Sequence, residues 1–164
     1  VFNPTIKIVR GIDLSGNFAQ AVKKLTSKSV LVGVPRATAQ RKGDSINNAA
    51  LAYVHDQGSP ARGIPAREFL RPGIRSVQPE LANRFKAMGQ GVIAGKDKEL
   101  DKGLVAIGLI AQKAVRKKII DGPFKPLRPA TIRARRRRGV TRTKPLIDSG
   151  AMMAAISFVI NDKK

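Results

Sequence analysis

The residue pattern predicts an α+β fold: a small, mostly antiparallel sheet with helices packed on one face and a long helical segment in the middle of the chain. Two observations carry this. Short β-branched runs at Val30–Val34 and Ile156–Ile160 read as strands. Apolar residues recur at steps of three and four through Leu81, Phe85, Met88 and Val92, and again through Leu100, Leu104, Ile107, Ala111, Ala114 and Val115. At 164 residues the whole chain, 1–164, fits one domain, because single cores commonly serve roughly 100 to 200 residues.

Taken in order, Thr5, Ile6, Lys7, Ile8 and Val9 alternate as in a half-exposed strand, and Ser15 is placed to cap a helix that turns Phe18, Ala21, Val22 and Leu25 to one side. Val30, Leu31, Val32 and Val34, closed by Pro35, predict a central strand buried on both faces. Residues 36–44 are polar and basic without an apolar period, which predicts an exposed loop that orders in an assembly. Asp44 or Ser45 can cap the next helix, with Ile46, Ala49, Ala50, Tyr53 and Val54 on one face and Gly58 as its stop. The stretch from Ser59 to Pro72 is an irregular connector anchored by Phe69 and Leu70.

Pro79 suits a first helical turn. Gly89, Gly91 and Gly95 lie between the two apolar stripes, so one long helix and a helical hairpin, running to about Ile119, are both compatible with the pattern. A Pro-rich turn, Gly122 to Pro129, precedes a short arginine-rich helix that Pro129 opens and Gly139 ends. Asp148 or Ser149 then caps a helix through Met152 and Met153, and Ile156 to Ile160 close the pattern as a strand.

Charge is the extreme property. The chain holds 32 Lys and Arg against 11 Asp and Glu, a formal +21. Self-repulsion on this scale favours anionic partners, whether nucleic acid, membrane headgroups or acidic protein surfaces. Aromatics make up only 4% and Trp is absent, so the core must be aliphatic. Without cysteine there is no disulfide framework, thiolate zinc site or cysteine nucleophile. The longest apolar stretch, 103–111, falls far short of the roughly 20 residues that span a bilayer. The N-terminus shows no signal-peptide core, so a soluble chain with no membrane partner and no export signal is expected.

Catalysis finds little support. The sole imidazole, His55, neighbours Asp56 on a predicted helix, where adjacent residues do not face each other, so a partly buried or interface histidine is expected. Asp97, Glu99 and Asp101 form the only acidic cluster, and it reads as a solvated helix start that suits the macrodipole, not as a metal site. Gly89-Gln90-Gly91 lacks the Gly-Lys-Ser/Thr continuation of a phosphate loop. No enzyme activity, cofactor or metal is therefore expected.

The basic segment 125–144 is different in kind. Arg133, Arg135, Arg136, Arg137 and Arg138 fall within six consecutive positions, flanked by Lys125, Arg128, Arg142 and Lys144. On a helix Arg133 and Arg137 are like-charged i,i+4 neighbours, a pair that costs roughly 0.2–0.5 kcal/mol, and an anionic partner relieves that repulsion. Arginine also favours bidentate phosphate or carboxylate contacts. Helix-turn-helix and zinc-finger patterns are absent, so any nucleic-acid contact should be to backbone phosphates and insensitive to sequence.

Two segments carry a family resemblance. The first runs from Asn48-Ala49-Ala50 through Tyr53-Val54-His55 to Gly58 and continues as Ile64-Pro65-Ala66-Arg67-Glu68-Phe69-Leu70-Arg71-Pro72. The second is Pro126-Leu127-Arg128-Pro129-Ala130-Thr131-Ile132, the arginine tract, and Lys144-Pro145-Leu146-Ile147-Asp148-Ser149-Gly150. In this order and separation they resemble the tail-completion and neck proteins of tailed bacteriophages, the group that includes the minor tail protein Z of lambdoid phages. The resemblance spans roughly residues 30 to 160. It implies a non-enzymatic α+β virion subunit, made in the bacterial host cytoplasm, that assembles as a ring, expected to be a hexamer, at the head-tail junction. Its implied neighbours are a tail terminator or tail tube protein, a head-closure or connector protein, and double-stranded DNA passing through the channel.

Six copies would carry roughly +126, whereas a channel roughly 40 Å deep would hold only about 24 DNA phosphates. Much of the basic surface is therefore expected to meet acidic protein neighbours. Arg133, Arg135, Arg136, Arg137, Arg138 and Arg142 are the candidate contacts to DNA or an acidic partner. Ile64, Pro65, Arg67, Phe69, Leu70 and Arg71 are the candidate subunit interface. A tail terminator or head-closure protein of the same neck is a close alternative. A cellular RNA-binding or ribosome-associated protein is the alternative from another class.

Overall fold

A computed structural model describes residues 14–41 and 46–163. The strand expected at Thr5–Val9 and the caps expected at Asp44 or Ser45 lie outside the described residues. The fold is α+β, with a two-stranded antiparallel ribbon, a long central helix and further helices around it.

Helix α1 (Leu14–Thr26) encloses Ser15 in its first turn instead of starting behind it. Of its apolar face Ala21 is buried, while Phe18 and Val22 remain exposed. Strand β1 (Lys28–Gly33) pairs with β2 (Ser157–Asp162), from Lys28 opposite Asp162 to Gly33 opposite Ser157. The expectation of a central strand buried on both faces is corrected: Val30 and Val32 pack inward, while Leu31 on the other face is 53% exposed. With only one covered face, the period-two rule sends alternate side chains to solvent.

The expected loop at 36–44 begins instead with a single helical turn, α2 (Arg36–Ala39). Ala39 is buried, and the Thr38 hydroxyl donates to the Ala155 carbonyl at 2.8 Å, which ties the turn to the core. Helix α3 (Asn48–Gln57) is capped by Asn47, whose side-chain oxygen accepts from the Ala50 N–H at 2.8 Å. Its inward face is Asn48, Ala52 and Asp56, and Tyr53 is 70% exposed, so the face expected from Ile46, Ala49, Ala50, Tyr53 and Val54 is corrected. Alanines on both sides of the helix gave the period no contrast, and Asp56 turns inward to serve two backbone donors described below.

After Gly58 come a 3-10 turn (Pro60–Arg62) and an extended stretch leading to α4 (Leu70–Arg75). The two open alternatives for the middle of the chain resolve as a hairpin: α5 (Gln78–Ile93) turns through Gly95, at φ +80°, into α6 (Lys98–Asp121). The second apolar stripe is the buried face of α6, from Leu100 to Ile119. One hydrophobic cluster gathers Leu100, Leu104 and Ile107 with Ala21, Met88 and Val92; the other gathers Val115 and Ile119 with Ala52, Phe69, Leu146, Met152 and Ile156. Helix α6 therefore runs through both. Val115, Ile119 and Ile156 are at most 1% exposed, each a burial of roughly 1.5–3 kcal/mol. At Gly108 the ring of Phe158 from β2 lies on the helix backbone, with Cδ2 only 2.2 Å from where a Cβ would stand. Glycine costs a helix roughly 1 kcal/mol relative to alanine, and the close approach of the ribbon offsets it.

Helix α7 (Pro129–Arg137) begins at Pro129 and ends before Gly139, at φ +74°, as the sequence predicts. Gly150, at φ +89°, occupies the N-cap position of α8 (Ala151–Ala155); the expected cap Ser149 contributes a long 3.3 Å contact to the Ala151 N–H, and Asp148 is engaged elsewhere. No described helix is long and apolar enough to cross a membrane.

Candidate functional site

The two segments that carry the family resemblance meet in space. Arg67, 6% exposed, donates from Nε to the Lys125 carbonyl at 2.9 Å and from Nη2 to the Pro126 carbonyl at 3.2 Å. Asp56, 7% exposed, accepts through Oδ1 from the N–H groups of Phe69 at 2.9 Å and Leu70 at 3.1 Å. Those donors open α4, whose first turn has no local cap, so a carboxylate from α3 satisfies them across the fold. Gly58 makes the turn between these contacts possible. Its φ is +80°, and an added Cβ would come within 2.7 Å of the Ala66 nitrogen.

These contacts correct two of the interface assignments. Phe69 is 2% exposed within the chain's own core, and Arg67 is committed to internal carbonyls. Neither leaves a side chain to offer a neighbouring subunit. Leu70 is half-buried and packs against the same core, as Ile64 and Pro65 are half-buried, whereas Arg71 is exposed.

The arginine tract divides in the same way. Arg135, 6% exposed, points inward, and its Nη1 donates to the carbonyls of Arg142 at 3.0 Å, Lys144 at 2.9 Å and Ile147 at 3.0 Å. Its Nε stands 3.6 Å from Asp148 Oδ1. Arg138 forms an ion pair with Asp148 at 2.9 Å, and Arg142 donates to the Asp148 carbonyl at 3.1 Å. Arg135 is thus the staple of the 142–148 loop, which corrects its assignment as a contact residue. Arg133, Arg136 and Arg137 are exposed and have no hydrogen-bond or ion-pair partner among the described residues. Their i, i+3 and i+4 spacing sets the three guanidinium groups on one face of α7.

His55 lies within electrostatic reach of both buried arginines. Burial holds its imidazole below the ordinary range, and the charges of Arg67 and then Arg135 push it the same way. Its Nδ1 is buried without a hydrogen-bond partner. The expected partly buried histidine is what the structure has, with positive neighbours that favour the neutral ring. The acidic cluster is engaged with lysines from α1 and β1: Asp97 with Lys24 at 2.7 Å and Asp101 with Lys28 at 2.8 Å. Among the described residues no group of three or more acidic or histidine side chains is placed to hold a metal ion.

Beside Arg67 a groove of about 620 Å³ opens between the connector after α3 and the chain entering α7. Four Lys or Arg residues and His55 line it, and no carboxylate among the described residues does. Sequence reasoning did not find this groove, because its two walls are some sixty positions apart. The structural roles of Asp56, Arg67 and Arg135 were missed too; the only available signal was that Arg135 shares an i, i+3 face with the apolar Ile132.

No family model matches the chain, and no solved structure does. Over 58 residues it is 38% identical to an uncharacterized protein of Methanocaldococcus jannaschii, a match that spans 35% of this chain and 35% of the archaeal protein's length.

Proposed function

We propose that this chain is a structural, non-enzymatic subunit of a tailed-phage neck, a tail-completion protein that assembles as a ring around passing DNA. It meets an anionic partner through Arg133, Arg136 and Arg137. The observation that supports this contact most directly is the guanidinium face of α7, unpartnered among the described residues, since Arg135, Arg138 and Arg142 are engaged by groups of the chain itself. Three like charges held together on a short helix repel one another, and phosphates or carboxylates relieve that repulsion. The family reading draws on the two sequence motifs, and the hydrogen bonds from Arg67 to Lys125 and Pro126 join them as parts of one structural unit.

The triple variant R133Q/R136Q/R137Q tests the proposal, because none of the three side chains supports the fold. It is expected to unfold as the native chain does while losing head-tail joining in a complementation assay. If all three groups contact DNA phosphates, the slope of log K against log salt falls by about 2.7, at 0.9 per phosphate. Unchanged infectious assembly refutes the role of this face. Tight binding of the native chain to bulk RNA at physiological salt would favour the cellular RNA-binding alternative, and the axial position in a reconstruction of the neck separates tail completion from a terminator or head-closure role.

A further inference from the structure

We infer that the groove beside Arg67 is a docking site for an extended peptide of a protein partner, one that alternates apolar and acidic side chains. The inference does not depend on what the α7 face contacts. It starts from charge: the exposed side chains of Arg62, Lys125 and Arg128 line it, none of these three side chains has a hydrogen-bond or ion-pair partner among the described residues, and no carboxylate among those residues lines the space. Such a set recognises carboxylates through charge-assisted hydrogen bonds.

The walls add a second recognition element. Between the cations the lining is mostly apolar, with Ile64 and Leu127 on opposite sides and Gln57 as an uncharged polar group. A phosphodiester backbone has nothing to place against Ile64 and Leu127, whereas alternate residues of an extended peptide have. The volume falls in the range of sites that bury most of a small ligand. A third feature is preorganisation. The buried Arg67 bonds from one wall to the carbonyls of Lys125 and Pro126 on the other, so the width of the groove is fixed before anything enters.

The Arg128 guanidinium lies over the connector at Gly63. Its Nη2 lies 2.7 Å from where a Cβ on Gly63 would stand, and Gly63 itself has φ +61°.

The chain contains a single histidine, and His55 lines the groove, so its imidazole resonance is a unique reporter. The probe is a six-residue peptide of alternating leucine and glutamate, titrated into the full chain at 0.15 M salt while the His55 signal is followed by NMR. A saturable shift is expected from this peptide and not from its leucine–glutamine counterpart. R62Q/R128Q should weaken binding by about tenfold, the joint loss of two solvent-exposed charge contacts, equivalent to about 1.4 kcal/mol. R133Q/R136Q/R137Q should bind the peptide as the native chain does, which keeps this result separate from the fate of the α7 reading. Absence of a saturable shift up to millimolar peptide, equal binding of the glutamine counterpart, displacement of the peptide by duplex DNA, or undiminished binding by R62Q/R128Q would each overturn the inference.

Discussion

Replacing Arg135 with glutamine should destabilise the fold, although the residue stands in a run of arginines that looks made for a partner. Its Nη1 carries two protons and faces three carbonyls at 2.9–3.0 Å, so two good bonds and one shared contact are lost together. Hydrogen bonds from a charged donor contribute about 1.5–3 kcal/mol each, a gross loss of about 3–6 kcal/mol. Arg142 and Lys144 are exposed residues whose carbonyls water can partly satisfy, which places the net near the lower end, about 3 kcal/mol. That is a large share of the roughly 5–15 kcal/mol that holds a domain folded. For a chain of this length the midpoint of thermal unfolding should fall by about 6–12 °C. Circular dichroism melts of R135Q beside R136Q make the comparison within one helix, and the exposed site should move stability by no more than about 0.5 kcal/mol. Equal stability of the two variants would refute the staple role of Arg135 and return it to the contact face.

Gly108→Ala places a methyl group inside the Phe158 ring position, and despite alanine's better helix propensity it should cost about 1–3 kcal/mol in urea unfolding. A neutral or stabilising result would mean that the ribbon does not pack against α6 at that point. His55 gives a pH signature. Its folded value lies below the ordinary 6.5, so as the pH falls past 6.5 the unfolded chain takes up a proton that the folded chain refuses. Stability attributable to this group should drop with falling pH until the folded value is reached and then level off. Arg67 and Arg135 face the ring from the connector and from α7, and Asp56 adjoins it in sequence. The difference in unfolding free energy between the native chain and H55Q, measured from pH 7.5 to 5, should show this slope. A flat difference would remove the charge argument.

Long-period features were legible in the sequence and short-range polar geometry was not. The stripe from Leu100 to Val115 marked the buried face of α6 because its six apolar positions, all buried, repeat at helical spacing, too many for chance neighbours to blur. Pro129 and Gly139 bounded α7 because each acts through its own backbone. Helix α3 defeated the same method, since its inward Asn48 and Asp56 look like surface residues until the donors of Phe69 and Leu70 are seen opposite. The arginine tract was visible as charge, but a list of like residues cannot say that Arg135 turns in while Arg136 turns out. That division depends on the 142–148 loop, which arrives from elsewhere in the chain.

Pairing β1 with β2 brings together segments encoded near opposite ends of the described chain. Closing so large a loop carries an entropic penalty that only prior compaction of the intervening residues reduces. The α5–α6 hairpin, built from near neighbours, can collapse early and provide the surface on which Val30, Val32 and Phe158 later settle. Until that last zippering step both edges of each strand are open, so the interval between collapse and closure is when a crowded cell leaves this chain most vulnerable to pairing with the wrong copy.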